Sequence, residues 1–127
     1  MKIRIKDNSL RLRLSQGEVK RFAEEGRISS QIRFSPLPDA YLSYVLNQLP
    51  GSQVQVHFGN NIIEVFLPEE QAAHWANSDQ VGIDGQVPLG SGEQLSILVE
   101  KDFQCLTDRP GEDESDLFPH PNTSASC

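Results

Sequence analysis

The sequence predicts an α+β domain of two tandem ββαββ units, with about eight mostly antiparallel strands, two helices and a pseudo-twofold axis. Three observations predict it. Short apolar–polar alternations are separated by turn residues, which is the two-residue period of half-buried strands. Two segments carry helical spacing and helix-start chemistry. The whole order then recurs at a shift that carries Asn8 onto Asn61 and Leu14 onto Leu67.

The first unit, residues 1–50, opens with Ile3 and Ile5 alternating with Lys2, Arg4 and Lys6. Leu10, Leu12 and Leu14 alternate in the same way with Arg11 and Arg13. Asp7 and Asn8 between them are turn residues, so the two segments read as a hairpin. Ser15 and Glu18 form a capping-box pattern, in which the serine oxygen accepts from a free backbone N–H and the glutamate reaches back. Val19, Phe22 and Ala23 follow at helical spacing, and Gly26 is placed to end the helix. Ile28, Ser30, Ile32 and Phe34 alternate as a third strand, which Pro36 and Pro38 break. Tyr41 to Leu46 is a fourth, more apolar strand, ended by Pro50 and Gly51.

The second unit, residues 54–103, repeats this plan. Val54–Phe58 and Ile62–Leu67 flank Gly59, Asn60 and Asn61 as a hairpin. Pro68 marks a helix start, and Glu69 and Glu70 suit its first turn. Ala72, Trp75 and Ala76 give the apolar face. Val81, Ile83 and Val87 form a strand, Gly90 and Gly92 a turn, and Leu95–Val99 the last strand. Phe22 falls on Trp75, Ala23 on Ala76, Ile28 on Val81, and Leu42 and Ser43 on Leu95 and Ser96. Each unit leaves one side of a sheet and one helix face uncovered, so the two cover each other. A closed or nearly closed barrel satisfies this pattern because it removes sheet edges, and an open sheet with both helices on one face satisfies it as well. The domain is expected to span residues 1–105. Residues 106–127 form an acidic, proline-containing tail whose Leu117 and Phe118 offer an anchor.

Charge is unevenly spread. The formal net charge is −7, which argues against a nucleic-acid partner. Residues 1–33 nevertheless hold nine of the eleven Lys and Arg residues, and residues 34–100 hold none. No apolar run reaches the length of a membrane span, and the opening lacks the apolar core of a signal peptide. Cys105 and Cys127 do not make a disulfide framework, which fits a reducing, cytoplasmic setting.

Familiar catalytic signatures are absent: no P-loop, H-E-x-x-H or G-x-S-x-G pattern occurs. One group of residues stands out. Lys2, Arg4, Lys6, Arg11 and Arg13 fall on one face of the first hairpin, opposite the apolar side chains. Five cations so close repel one another unless an anion or carboxylates lie among them, and arginine forks suit bidentate oxyanion contacts. The same face is also what a solvated outer surface looks like. In the second unit it reads Gln55, His57, Gly59, Glu64 and Phe66, without the cations. Glu112, Asp113, Glu114 and Asp116 read first as a solvated tail, then as a latch over the basic hairpin, and last as a hard-cation site. Cys105, His120 and Cys127 supply transition-metal ligand types without paired spacing, and Cys105 also fits a small buried hydrophobe. His57 and His74 fall on Arg4 and Arg21 and read as outward polar residues.

The segments Lys2–Leu14, Trp75–Gly82 and Glu100–Cys105, with Phe118–Pro121, resemble a family of small uncharacterised bacterial proteins. The resemblance implies a domain of unknown function and brings no activity, cofactor or catalytic residue. In topology alone, the plan is similar to the triphosphate tunnel enzymes and the swapped-hairpin DNA-binding proteins. The former open on alternating glutamates where this chain has Lys2, Arg4 and Lys6, and the latter are not acidic. The expected function is therefore a small soluble binding or interaction domain with no assignable catalysis. Its rival is a phosphate- or polyanion-binding protein, or a phosphohydrolase, working through the basic hairpin. A homodimer that buries edge strands is the third expectation.

Overall fold

The computed structural model describes residues 1–103 and 115–119. Eight strands and two helices follow one another as β1 (Lys2–Lys6), β2 (Ser9–Leu14), α1 (Gln16–Glu25), β3 (Ile28–Arg33), β4 (Tyr41–Leu49), β5 (Gln55–Gly59), β6 (Ile62–Pro68), α2 (Glu69–Asn77), β7 (Gly82–Pro88) and β8 (Gln94–Lys101). The expected α+β class and element order are both present.

The strands neither close into a barrel nor join into one sheet. They form two four-stranded sheets, ordered β1-β2-β8-β7 and β3-β4-β6-β5. Each sheet joins a hairpin from one half of the chain to a strand pair from the other. The joins are parallel, β2 with β8 and β4 with β6, whereas the remaining pairs are antiparallel. Two gaps separate the sheets. Near one, the Tyr44 hydroxyl donates to the Met1 carbonyl at 3.0 Å. Near the other, Gly85 packs directly against the Val54 side chain.

The two parallel joins share one register. Ser9 lies opposite Ser96 in the first sheet, and Ile62 lies opposite Ser43 in the second, positions that the shift of Asn8 onto Asn61 interchanges. The turn chemistry follows suit. The Asn8 carbonyl accepts from the Ser96 N–H, and the Asn61 carbonyl from the Ser43 N–H. Asp7, Asn60 and Asn61 hold the left-handed backbone that these residue types tolerate. One expected match is corrected, however. Ile28 lies opposite Leu46, and its counterpart opposite Val99 is Ile83, not Val81. Ile28 and Ile83 are each 4% exposed, whereas Val81 is 44% exposed and precedes β7. The cause is local: Gly26 and Arg27 alone separate α1 from β3, while Ser78–Val81 separate α2 from β7.

Both helices start and stop as their residues dictate. Ser15 accepts from the Glu18 N–H, and the Glu18 carboxylate accepts from the Ser15 N–H at 2.9 Å. Gly26 adopts φ 78° and donates to the Phe22 carbonyl, ending α1. Pro68 flanks α2 without a side-chain cap, and Glu69 and Glu70 occupy its first turn. Val19 and Phe22 of α1 and Ala72 and Trp75 of α2 fill the core with the inward residues of both sheets. Ala23 is exposed instead of joining that face, and Ala76 is half-buried.

Residues 115–119 pack onto this domain. Leu117 is buried, and Phe118 packs against the core and the Phe103 ring. The Phe118 N–H donates to the Asp102 carbonyl, and the Gln16 N–H donates to the Asp116 carbonyl. The Asp116 carboxylate also accepts from the Gly17 N–H, at the start of α1, where negative charge is favoured.

Candidate functional site

The outer face of the first sheet is built by the alternation that buries Leu10, Leu12 and Leu14. Inward leucines force Arg11 and Arg13 outward, and the antiparallel register sets Arg4 opposite Arg11 and Lys2 opposite Arg13. Lys6 lies opposite Ser9. All five predicted cations therefore share one face, as the hairpin pattern requires.

Carboxylates from the far end of the chain lie among them. Glu100 on β8 sits beside Arg13 in the sheet. Its Oε1 accepts from Arg11 Nε at 2.6 Å and from Arg13 Nε at 2.9 Å, and Arg11 Nη2 lies 2.5 Å away. Asp102, buried just beyond β8, pairs its Oδ2 with Lys2 Nζ at 2.8 Å. Arg4 and Lys6 are exposed and have no carboxylate within ion-pair distance among the described residues. Among the described residues Glu100 and Asp102 thus answer Arg11, Arg13 and Lys2, and the positive charge they leave unanswered lies with Arg4 and Lys6 on β1.

Beside the arginines the sheet surface forms a shallow open groove of about 490 Å³. Leu98 lies on its floor, flanked by Arg11 on β2 and Asp84 on β7, its partners on either side. Ser96 and Gln86 line one end, joined by a hydrogen bond of 2.9 Å from the serine Oγ. Gly82 lies opposite Glu100, where an added Cβ would stand 2.8 Å from the Val99 carbonyl oxygen and 3.0 Å from the Glu100 Cβ. A side chain there would push against the residue that orients both arginines.

Charged groups elsewhere have structural work. Lys101 is buried and donates from Nζ to the Ser78 carbonyl at 2.6 Å, at the end of α2, with the Phe118 ring 5.4 Å away. Burial pushes its ammonium pKa down, and the Asp79 carboxylate opposes that shift without cancelling it. The Met1 amino group pairs with Glu18 Oε2. Burial raises the Glu18 carboxyl, but the hydrogen bonds from the Met1 amino group and the Ser15 N–H outweigh it, so the net shift is downward.

The remaining sequence candidates divide by position. His57 and His74 are exposed, as expected of outward residues. Cys105, His120 and Cys127 lie outside the described residues, as do Glu112, Asp113 and Glu114. Among the described residues no cluster of three His, Cys, Asp or Glu side chains is placed to hold a metal ion. Asp116 meets the start of α1. The sequence alone gives Glu100 and Asp102 no role toward the hairpin. The signal available was slight: Glu100 continues the outward series Ser96, Leu98 along the last strand, but nothing local says which strand lies beside it.

These features define an α+β domain of two facing sheets with a cation-rich outer surface and, among the described residues, no recognisable catalytic constellation. The chain belongs to a family of unknown function, DUF7009, whose model matches residues 1–122. No curated protein and no solved structure shows a significant match. No helix among the described residues is long and apolar enough to cross a membrane.

Proposed function

We propose that this domain is a binding module that takes an oxyanion group, phosphate-like in charge and size, on the outer face of its first sheet. The observation that carries this reading is the pairing of Arg4 directly opposite Arg11, with Arg4 and Lys6 lacking a carboxylate partner among the described residues. Like charges facing each other across a strand pair are unfavourable, and an anion between them removes the repulsion. Glu100 engages only part of each guanidinium and leaves both arginines with unused N–H donors for an anion. No step of bond making is assigned to these residues. A cytoplasmic setting belongs to the same reading, supported by the cysteine usage. The net charge of −7 favours a small anion over nucleic acid.

Thermal unfolding with pyrophosphate or triphosphate, against chloride at matched ionic strength, tests the proposal. A site held at about 100 times its dissociation constant stabilises the fold by about 2.7 kcal/mol. Arg4→Gln with Lys6→Gln should abolish the shift in midpoint. Equal shifts in the variant and the parent protein would reject the reading.

A further inference from the structure

Beyond the anion itself, we propose that the groove over Leu98 receives the rest of the same ligand, and that this ligand is a small zwitterion. Its acidic end would meet Arg11, its apolar middle would lie on Leu98, and an ammonium group would meet Asp84. This inference rests on the anion-binding reading and adds the ligand's class.

The two sheets provide an internal comparison. Leu98 and Val45 hold corresponding places, each between two outward partners: Arg11 and Asp84 in the first sheet, Glu64 and Ser29 in the second. Val45 is 2% exposed and lies outside the main core, so its own face covers it. Leu98 is only half-buried and open to the groove. The same position is sealed in one sheet and accessible in the other. Apolar surface left open between polar walls is the usual make-up of a small-molecule site, and about 490 Å³ falls within the usual size range of such sites.

Charge sets the ligand's polarity. Asp84 is exposed and has no cation within ion-pair distance among the described residues. Arg11 uses Nε and Nη2 toward Glu100 and retains other N–H donors for an incoming acid group. Both residues are direct neighbours of Leu98, so their backbones stand about two strand spacings apart, roughly 9.5 Å. An acid and an amine joined by a short apolar chain match this row end to end. A polyanion would instead meet Asp84 with like charge.

The probe is 6-aminohexanoate, with hexanoate and hexylammonium as controls at equal ionic strength, followed through the backbone amide resonances of the full chain. Shifts should cluster on β2, β8 and β7 around Leu98. Loss of either end group should weaken binding about two- to fivefold, the usual worth of an exposed ion pair. Asp84→Asn should bring the zwitterion down to the affinity of hexanoate. The inference is overturned if hexanoate binds the parent protein as well as the zwitterion does, or if no resonance near Leu98 moves. Pyrophosphate binding without any response to 6-aminohexanoate would reject the zwitterion and leave the anion site standing. Zwitterion binding without any response to pyrophosphate would reject the phosphate-like reading.

Discussion

Phe22 and Trp75 meet edge to face at the centre of the molecule, with ring centroids 6.3 Å apart and planes inclined by 65°. One comes from each helix, and both are essentially inaccessible to solvent. Trp75 also donates from Nε1 to the Val81 carbonyl, which ties the longer link after α2 to the core. Replacing either ring by alanine should cost about 3–5 kcal/mol in urea unfolding. A double-mutant cycle should return a coupling of about 0.5–1.5 kcal/mol, the excess expected of an aromatic pair beyond area. Additive losses would mean that the rings share a cavity without interacting.

Glu100 should restrain anion binding while supporting the fold. Glu100→Gln leaves Arg11 and Arg13 side by side on β2 without their shared counter-charge, so the unfolding midpoint should fall. Pyrophosphate affinity should rise, because the anion then supplies the missing negative charge. Titration calorimetry and thermal unfolding on the same variant check both halves. A fall in both quantities would show that Glu100 acts mainly by positioning the arginine forks.

Gly82→Ala should destabilise through crowding alone, since Gly82 has no unusual backbone angle and its added methyl meets the Val99 carbonyl. The expected loss is about 1–3 kcal/mol, with the β7–β8 pairing displaced. Amide exchange of β7 and β8 should accelerate relative to β4 and β6.

Glu18 makes stability fall in acid. Its folded carboxyl lies below its ordinary value, so the contribution is complete at and above that ordinary value and is lost as pH falls through the lower folded one. Urea unfolding as a function of pH should show this loss, and Glu18→Gln should flatten that part of the profile. An unchanged profile would remove Glu18 from the account.

Leu117→Ala should cost about 2–4 kcal/mol, as for any buried leucine, although it lies in a stretch that composition alone assigns to a tail. Limited proteolysis should then cut near residues 115–119 more readily.

The local elements were legible because each rests on neighbours in the chain. Alternation fixed which side of each strand is buried, the pair Ser15 and Glu18 fixed the start of α1, and Gly26 fixed its end. The five-cation face followed from the hairpin register alone. Ala23 was misplaced because a small side chain at helical spacing does not say how wide the buried stripe is. Ile28 was matched with Val81 because a constant shift ignores two extra residues after α2, which the shorter β7–β8 turn takes back. How the halves combine was not legible in the same way. Pairing β2 with β8 closes a loop across most of the chain, and no short-range pattern reports the free energy of that choice. Only that pairing brings Glu100 to Arg11 and Arg13, and only the tertiary surroundings of the two outer faces leave Leu98 open where Val45 is sealed. Sequence alone therefore determined the elements, their faces and the cluster of positive charge, since local sterics and periodicity act over a few residues. Tertiary structure decided the exchange of hairpins between sheets, the carboxylates that answer the cations and the groove beside them, because those depend on contacts between residues remote in the chain.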